Sequence, residues 1–171
     1  MKFIFIFLLF FKLYSFDTGN CPIPYEIMYS IAHTERHIKR KVGYPYLISF
    51  NKKINIDILK DFEFIKLDNR TIDCLEQDNC IKITKHLLQN NIKNLDLGGF
   101  QINIIYHNKY PISDYFNVSS SYQIACNILV DLVRKYGWSW KTIGKYHSFT
   151  EDKSQNYYQK VANYFKSLNN R

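Results

Sequence analysis

Apolar side chains recur at helical spacing in several parts of the chain. The clearest stretch follows Ser119 to Ser121, which could cap a helix, and it ends at Gly137. Its apolar stripe consists of Ala125, Ile128, Leu129, Leu132 and Val133. Weaker helical patterns are found at Cys80 to Asn90, at Trp140, Ile143 and Tyr146, and at Tyr157, Val161, Ala162, Phe165 and Leu168. These patterns predict that most of the chain is helical.

Another helix is predicted from Ile27 to Val42, between a proline-containing segment and Gly43. Met28, Ile31 and Glu35 would share one face of it, which places a carboxyl group on the apolar stripe. One interpretation is that Glu35 lies at the edge of the stripe and reaches water. Held against apolar side chains instead, it would keep its proton near neutral pH, as a general acid must.

Between these helices, three stretches are typical of β-structure. Tyr44 to Asn51 is rich in β-forming residues, and Phe62 to Leu67 with Thr71 to Cys74 has the form of a hairpin. The third stretch is Asp96 to Asn103, DLGGFQIN. We therefore predict an α+β fold, mainly helical, with a small sheet inserted between Gly43 and Ile105.

The DLGGFQIN stretch combines a glycine pair with an alternating strand. Gly98 and Gly99 permit a tight turn or a close approach of the backbone to a ligand. Alternation would then place Phe100 and Ile102 on one face and the amides of Gln101 and Asn103 on the other. Such a face suits hydrogen bonding to a sugar, and it equally suits an ordinary edge strand whose amides face water.

The first fifteen residues have the form of a secretory signal peptide. A basic start precedes a short apolar run from Phe3 to Phe11, and Ser15 offers a small residue for cleavage. A retained membrane anchor is the alternative. Loss of this segment removes Lys2 and Lys12 and lowers the formal charge from +8 to +6. That excess favours a polyanionic partner, whether nucleic acid, acidic lipid or a carboxylate-bearing cell-wall polymer.

Four cysteines, an even number in a chain with an export signal, predict disulfides. Cys74 and Cys80 are close enough in sequence to meet often even in the unfolded chain. Of the three possible pairings we therefore expect Cys74 with Cys80 and Cys21 with Cys126.

Three separated motifs resemble those of the lytic transglycosylases with a goose-type lysozyme-like fold, especially the small exported forms that accompany secretion, conjugation and pilus machines. IAHTER corresponds to the helix that ends in the catalytic Glu, here Glu35, although Arg36 stands where the family has Ser. GGFQIN corresponds to the Gly-Leu-Met-Gln-Ile segment, and IGKYHS, with Tyr146 and His147, to the Ala-Tyr-Asn segment. The resemblance extends over most of the chain, and the domain is expected to span residues 21–168.

The resemblance implies cleavage of the β-1,4 bond between N-acetylmuramic acid and N-acetylglucosamine in peptidoglycan, leaving 1,6-anhydro ends. Glu35 would act first as acid and then as base, and no cofactor or metal is implied. Tyr146 would hydrogen-bond near Glu35 and fix its rotamer. The implied substrate site comprises Gly98, Gly99, Phe100, Gln101, Ile102, Asn103, Tyr146 and His147. The implied setting is periplasmic or secreted, and the implied partners are peptidoglycan strands and components of a secretion, conjugation or pilus apparatus.

Several other functions compete with this one. In HTERH, His33 and His37 have the spacing of a metal-binding pair on a helix, but Glu35 would point about 200° away from His33, so it could not be the base of a zinc peptidase. A glycan-binding protein without activity and a lysozyme-type hydrolase that uses Asp96 as second carboxylate both stay open. Nucleic-acid binding has only the net charge in its favour, and we expect none.

Overall fold

The computed structural model describes residues 19–170, which fold into six α-helices and a five-stranded antiparallel sheet. The predicted α+β class is therefore confirmed. The helices are α1 (Tyr25–Glu35), α2 (Gln77–Gln89), α3 (Ile112–Tyr115), α4 (Val118–Tyr136), α5 (Trp140–Gly144) and α6 (Glu151–Asn169), with a 3-10 turn at Ile56–Leu59. The strands are β1 (Leu47–Phe50), β2 (Ile65–Lys66), β3 (Thr71–Asp73), β4 (Leu95–Leu97) and β5 (Ile102–Asn103). The predicted signal peptide lies outside the described residues.

The strands are arranged in the order β2-β3-β1-β4-β5. The predicted hairpin is present as the antiparallel pair β2 and β3, and β1 lies between β3 and β4. At the end of the sheet, β4 and β5 pair so that Asp96 is directly opposite Asn103. Residues opposite each other on antiparallel strands project from the same face, so this register brings their side chains together.

The long helices begin and end where local side-chain chemistry favours it. The predicted stripe of α4 is buried on one side, and the helix ends at Gly137, whose φ of 77° is readily adopted by glycine. Its N-cap is Asn117, which accepts a hydrogen bond from the backbone N–H of Ser120, so the cap lies two residues before the predicted serines. Helix α6 begins at Glu151, ahead of Tyr157, where the predicted apolar pattern starts.

The prediction that the first helix extends to Val42 is wrong, because α1 ends at Glu35 and Arg36 is already extended. Two basic residues that would have lain in the last turns of that predicted helix instead bind the strand region. The guanidinium of Arg40 donates to the carboxylate of Asp73, which is 1% exposed, and Lys39 Nζ donates to the carbonyl oxygen of Leu67 at 3.0 Å. A buried carboxylate without a partner is costly, so this tertiary ion pair outweighs the local preference for helix.

Helices and sheet share one buried apolar cluster, to which α1 contributes Met28 and Ile31, both fully buried. Both predicted disulfides are present. Cys21–Cys126 joins the segment before α1 to α4, with the two Cα atoms 5.9 Å apart, and Cys74–Cys80 closes a short loop between β3 and α2. Among residues 19–170, none of the helices combines the length and apolarity that a membrane span requires.

Candidate active site

Glu35 is the last residue of α1 and lies on the face of that helix that enters the core. Ile31, one turn earlier, is fully buried, whereas Glu35 itself keeps part of its surface accessible. Helix α6 packs along α1, and the segment after α5 and the edge strand pair β4–β5 also contribute residues near the carboxyl. The carboxyl is thus desolvated on most sides and open on one.

The pKa of Glu35 is raised from 4.5 to about 8, and desolvation by burial is the largest cause. The negative charge of Asp96 contributes to the rise. A hydrogen-bonding interaction with Tyr157 and the positive charge of Lys160 act in the opposite direction. The group therefore holds its proton at neutral pH while remaining accessible, which is the condition for a general acid.

Tyr157, on α6, has a hydrogen-bonding interaction with the Glu35 carboxyl. Its hydroxyl is buried and has no partner at full hydrogen-bond geometry, so its interaction with the carboxyl is long or poorly aligned. Hydrogen bonds in unliganded active sites are often of this kind. The sequence indicated Tyr157 only as part of an apolar stripe. A buried tyrosine usually places its hydroxyl near a polar group, and this tendency could have indicated Tyr157 as a neighbour of a buried carboxyl.

Asp96, on β4, supplies a second carboxyl group to the site. It accepts hydrogen bonds from Asn51 Nδ2 at 2.8 Å and from Asn103 Nδ2 at 2.7 Å. Burial raises the pKa of Asp96, while these two hydrogen bonds and the nearby charges of His147 and Arg70 lower it. Since Asp96 also raises the pKa of Glu35, the two carboxyl groups interact electrostatically within one site.

The amide of Asn103 has a different role from the one predicted. Its Nδ2 binds Asp96 and, at 2.9 Å, the side-chain oxygen of Asn94, and its Oδ1 accepts from the backbone N–H of Ile105. Both N–H groups of the amide that the resemblance assigned to sugar binding are therefore used by protein groups. Its role in the structure is to hold the second carboxyl in place.

The glycine turn also differs from the prediction in its details. A Cβ atom at Gly98 would lie 1.9 Å from the carbonyl oxygen of Tyr115, and one at Gly99 would lie 2.6 Å from that of Gly43. The glycines thus permit close packing of backbone against backbone, and nothing indicates that they face a ligand. Phe100 and Ile102 are 1% and 2% exposed and belong to the core, so neither side chain can contact substrate.

Gln101 lies within this turn, and the predicted alternation begins only after it. Its φ is 47°, a left-handed conformation that is unusual for glutamine, and its Nε2 donates to the carbonyl oxygen of Gly98 at 2.8 Å. Gln101 and Asn103 therefore do not form a shared amide face on one strand. Gln101 stays partly exposed, so contact between its side chain and a ligand is sterically possible.

Tyr146 and His147 follow α5 and lie beside the two carboxyl groups. The hydroxyl of Tyr146 donates to the carbonyl oxygen of Phe100 at 2.9 Å, and the charge of Glu35 acts on this phenol, so Tyr146 hydrogen-bonds near the carboxyl but not to it. Burial and the charges of Glu35 and Asp96 raise its pKa well above 10, so the phenol stays protonated. The ring of His147 stacks on Tyr157 with 4.9 Å between centroids, and part of the residue stays exposed to solvent. Desolvation of the covered part lowers the pKa of His147.

The two histidines of HTERH do not share a helix face, because α1 ends between them. His33 stacks on Tyr164, with ring centroids 3.4 Å apart, whereas His37 lies 3.3 Å from a carboxylate oxygen of Asp68. In the part of the chain that the structure describes, no three His, Cys, Asp or Glu side chains are grouped so as to hold a metal ion.

A Tyr157→Phe variant tests the positioning role of the hydroxyl. Because that hydroxyl lowers the pKa of Glu35, its removal should raise the pKa and move the alkaline limb of activity to higher pH. Loss of the contact should also reduce kcat roughly tenfold. Stability to urea should not fall, since the hydroxyl is buried without a well-formed bond.

The neighbouring, partly buried Tyr158 provides the matched control. Tyr158→Phe should leave the pH profile unchanged. If Tyr157→Phe reduced stability but left the alkaline limb where it is in the wild type, Tyr157 would be a packing residue only.

Comparison of the chain with protein-family models, with curated proteins and with solved structures finds no match. A function for it therefore has to be inferred from the chemistry of Glu35 and its neighbours.

Proposed function

We propose that this protein is a peptidoglycan lytic transglycosylase with Glu35 as its catalytic residue. The observation that carries the proposal is a partly accessible carboxyl at the end of a buried helix whose pKa is raised to about 8. Such an acid is protonated before reaction and basic enough afterwards to take a proton back. The identity of the substrate is inferred from the sequence resemblance to this class of enzymes.

In the proposed reaction, Glu35 donates its proton to the glycosidic oxygen between N-acetylmuramic acid and N-acetylglucosamine as the C1–O bond breaks. The N-acetyl group of the muramic acid can supply the internal nucleophile at C1. The Glu35 carboxylate then takes the proton of the C6 hydroxyl, whose oxygen attacks C1, displaces the N-acetyl oxygen so that the free N-acetyl group is restored, and closes the 1,6-anhydro ring. Tyr157 would hold the carboxyl in place in both steps.

The proposed setting is the cell envelope, in the periplasm or outside the cell. Two disulfides support an oxidising compartment, and the resemblance suggests local opening of the wall for a secretion or conjugation machine. A glycan-binding protein without activity would not need a carboxyl group with so high a pKa, since proton transfer is what that pKa serves.

A lysozyme-type hydrolase is the second candidate, and the position of Asp96 favours it. This carboxyl interacts electrostatically with Glu35 and is held by Asn51 and Asn103. Retaining and inverting hydrolases both use a pair of carboxyl groups, one protonated and one ionised.

Analysis of the products of purified sacculi, together with an Asp96→Asn variant, separates these functions. We expect 1,6-anhydro ends from the wild type, and activity within about tenfold of wild type in Asp96→Asn, because transglycosylation requires one acid only. The alkaline limb of that variant should move to lower pH, since the charge of Asp96 raises the pKa of Glu35. Reducing ends that disappear in Asp96→Asn would instead identify a hydrolase, and a lack of either product would refute both enzymes.

A further inference from the structure

Three exposed basic residues, one on the sheet side and two on α6, lie close enough to the candidate site to act on its charged groups. Arg70 follows β2 on the sheet side, whereas Lys153 and Lys160 lie on α6. Each acts electrostatically on a residue of the site: Lys160 on Glu35 and His147, Lys153 on His147, and Arg70 on Asp96 and His147.

The sheet-side cation is anchored to the site by hydrogen bonds. Arg70 donates from Nε to the carbonyl oxygen of Phe50 at 3.1 Å and from a terminal nitrogen to Asn51 Oδ1 at 3.2 Å. The same Asn51 donates to Asp96. The guanidinium is therefore connected to the second carboxyl through a single amide.

The helix-side cations are placed by the geometry of α6. At 100° per residue, Lys153 and Lys160 lie about 40° and 60° from Tyr157, on the same side of it. On the opposite side of Tyr157 lie Ser154 and Val161, which are buried. Since Tyr157 faces Glu35, both lysines project beside the accessible side of the site.

In residues 19–170 none of these three cations forms a close ion pair with an acid, although Arg70 interacts at longer range with the charge of Asp96. Within residues 19–170 the ion pairs are His37–Asp68, Arg40–Asp73 and Arg134–Asp131, and none of them includes Arg70, Lys153 or Lys160. The two acids of α6, Glu151 and Asp152, lie about 120° and 140° from Tyr157. The positive charge at the site is thus available to a ligand.

One of these cations acts directly on the proposed general acid. A positive charge beside a general acid lowers its pKa, and Lys160 has this effect on Glu35, whose pKa is nevertheless raised to about 8. A site for a neutral sugar would gain nothing from this charge. A bound carboxylate would offset it and strengthen the tendency of Glu35 to keep its proton.

We infer that Arg70, Lys153 and Lys160 form a cationic rim that binds carboxylates carried along the glycan, so that the site selects charged strands over neutral ones. The inference rests on the proposed function and specifies the class of glycan. In peptidoglycan the carboxylates come from the stem peptides or, where these are removed, from the lactyl group of the muramic acid.

The test measures binding to purified sacculi by co-sedimentation at low salt, in a Glu35→Gln background so that the polymer is not consumed. The Lys153→Gln/Lys160→Gln pair should weaken binding roughly fivefold, as expected for two exposed charge contacts. Lys82→Gln/Lys85→Gln removes the same charge from exposed positions on α2, which contributes no residue to the site, and should have no effect.

A chemically modified polymer tests the same contacts from the ligand side, because it lacks the carboxylates and the protein keeps its lysines. Sacculi whose carboxylates have been amidated should bind the parent protein at least as weakly as the lysine pair variant binds native sacculi. Amidation should weaken the variant, which keeps only Arg70 of the rim, less than it weakens the parent. Strands stripped of stem peptides distinguish the sources: a persistent rim effect identifies the lactyl carboxylates, and its loss identifies the peptides. Equal binding by the rim and control variants, or unchanged binding to amidated sacculi, would overturn the inference.

Failure of the rim inference can be distinguished from failure of the proposed function. If wild-type protein released no sugar product from sacculi yet showed rim-dependent binding, the enzyme would be refuted and the rim retained. If it released anhydro products and the rim variant bound normally, the rim would be refuted and the enzyme retained.

Discussion

Replacement of Glu35 by Gln is expected to abolish release of anhydro-sugars from peptidoglycan and, above about pH 5, to make the protein more stable than the wild type. Gln keeps the volume of the side chain but has no proton to transfer, so the rate should fall by roughly a thousandfold or more. Glu26→Gln is the matched control, since Glu26 lies on the same helix, is exposed, and undergoes the same substitution of carboxyl by amide.

The gain in stability follows from the sign of the pKa shift. Between about pH 4.5 and 8 the folded protein holds a proton on Glu35 that the unfolded chain has released. The wild-type free energy of unfolding should therefore fall as pH rises through this window, by at most about 1.4 kcal/mol per pH unit. The amide of the Glu35→Gln variant cannot titrate, so this contribution to the slope should be absent from it.

Urea unfolding at pH 4 and pH 8 measures this difference. The two proteins should be close in stability at pH 4, and Glu35→Gln should be the more stable at pH 8 by about 2 kcal/mol or more. A folded Gln variant that still released muropeptides would end the catalytic assignment. A variant with the same pH slope as wild type would show that Glu35 is not desolvated.

Loss of the Cys21–Cys126 disulfide should destabilise the protein more than loss of Cys74–Cys80. The first bond closes a separation of 105 residues and the second one of 6. The chain-entropy account of disulfides gives about 4 to 5 kcal/mol for the long loop and about 2 to 3 for the short one. Paired Cys→Ala variants at each bridge, compared by urea unfolding, leave no free thiol from the deleted bridge.

The position of the long bridge relative to Glu35 also bears on the candidate site. Cys21 precedes α1 and Cys126 lies within α4, so the long bridge fixes the start of the helix that ends in Glu35. A larger loss of stability in the Cys74→Ala/Cys80→Ala variant would contradict the ranking. Peptide mapping of the non-reduced protein checks the pairing itself.

Periodicity was sufficient to predict α4, because its stripe spans many residues and packing favours the same face throughout. It was insufficient at the end of α1, where the basic residues after Glu35 suit a helix locally. Arg40 instead pairs with Asp73, 33 residues away. Helix α3 has only four residues, Ile112–Tyr115, too few to produce a periodic signal.

In the candidate site, too, local sequence patterns predicted single residues but not contacts between distant ones. Glu35 could be identified from the sequence because its misplacement on an apolar stripe is a local property. Its relation to Tyr157, and that of Tyr146 to Phe100, depend on helix packing between residues far apart in the chain. The binding of Asn103 to Asp96 depends on a strand register that the turn at Gln101 sets, and alternation alone predicted the wrong start of that strand.

The early end of α1 has a chemical consequence beyond its effect on chain direction. The peptide dipoles of a helix add up to a partial negative charge at its carboxyl end, which disfavours a carboxylate there by about 0.3 to 1 kcal/mol. Glu35 is the final residue of α1 and so lies in this field. Had the helix continued to Val42, Glu35 would lie about two turns inside it, beyond the reach of this effect. The extended backbone at Arg36 thus adds a source of proton retention that does not depend on excluding water.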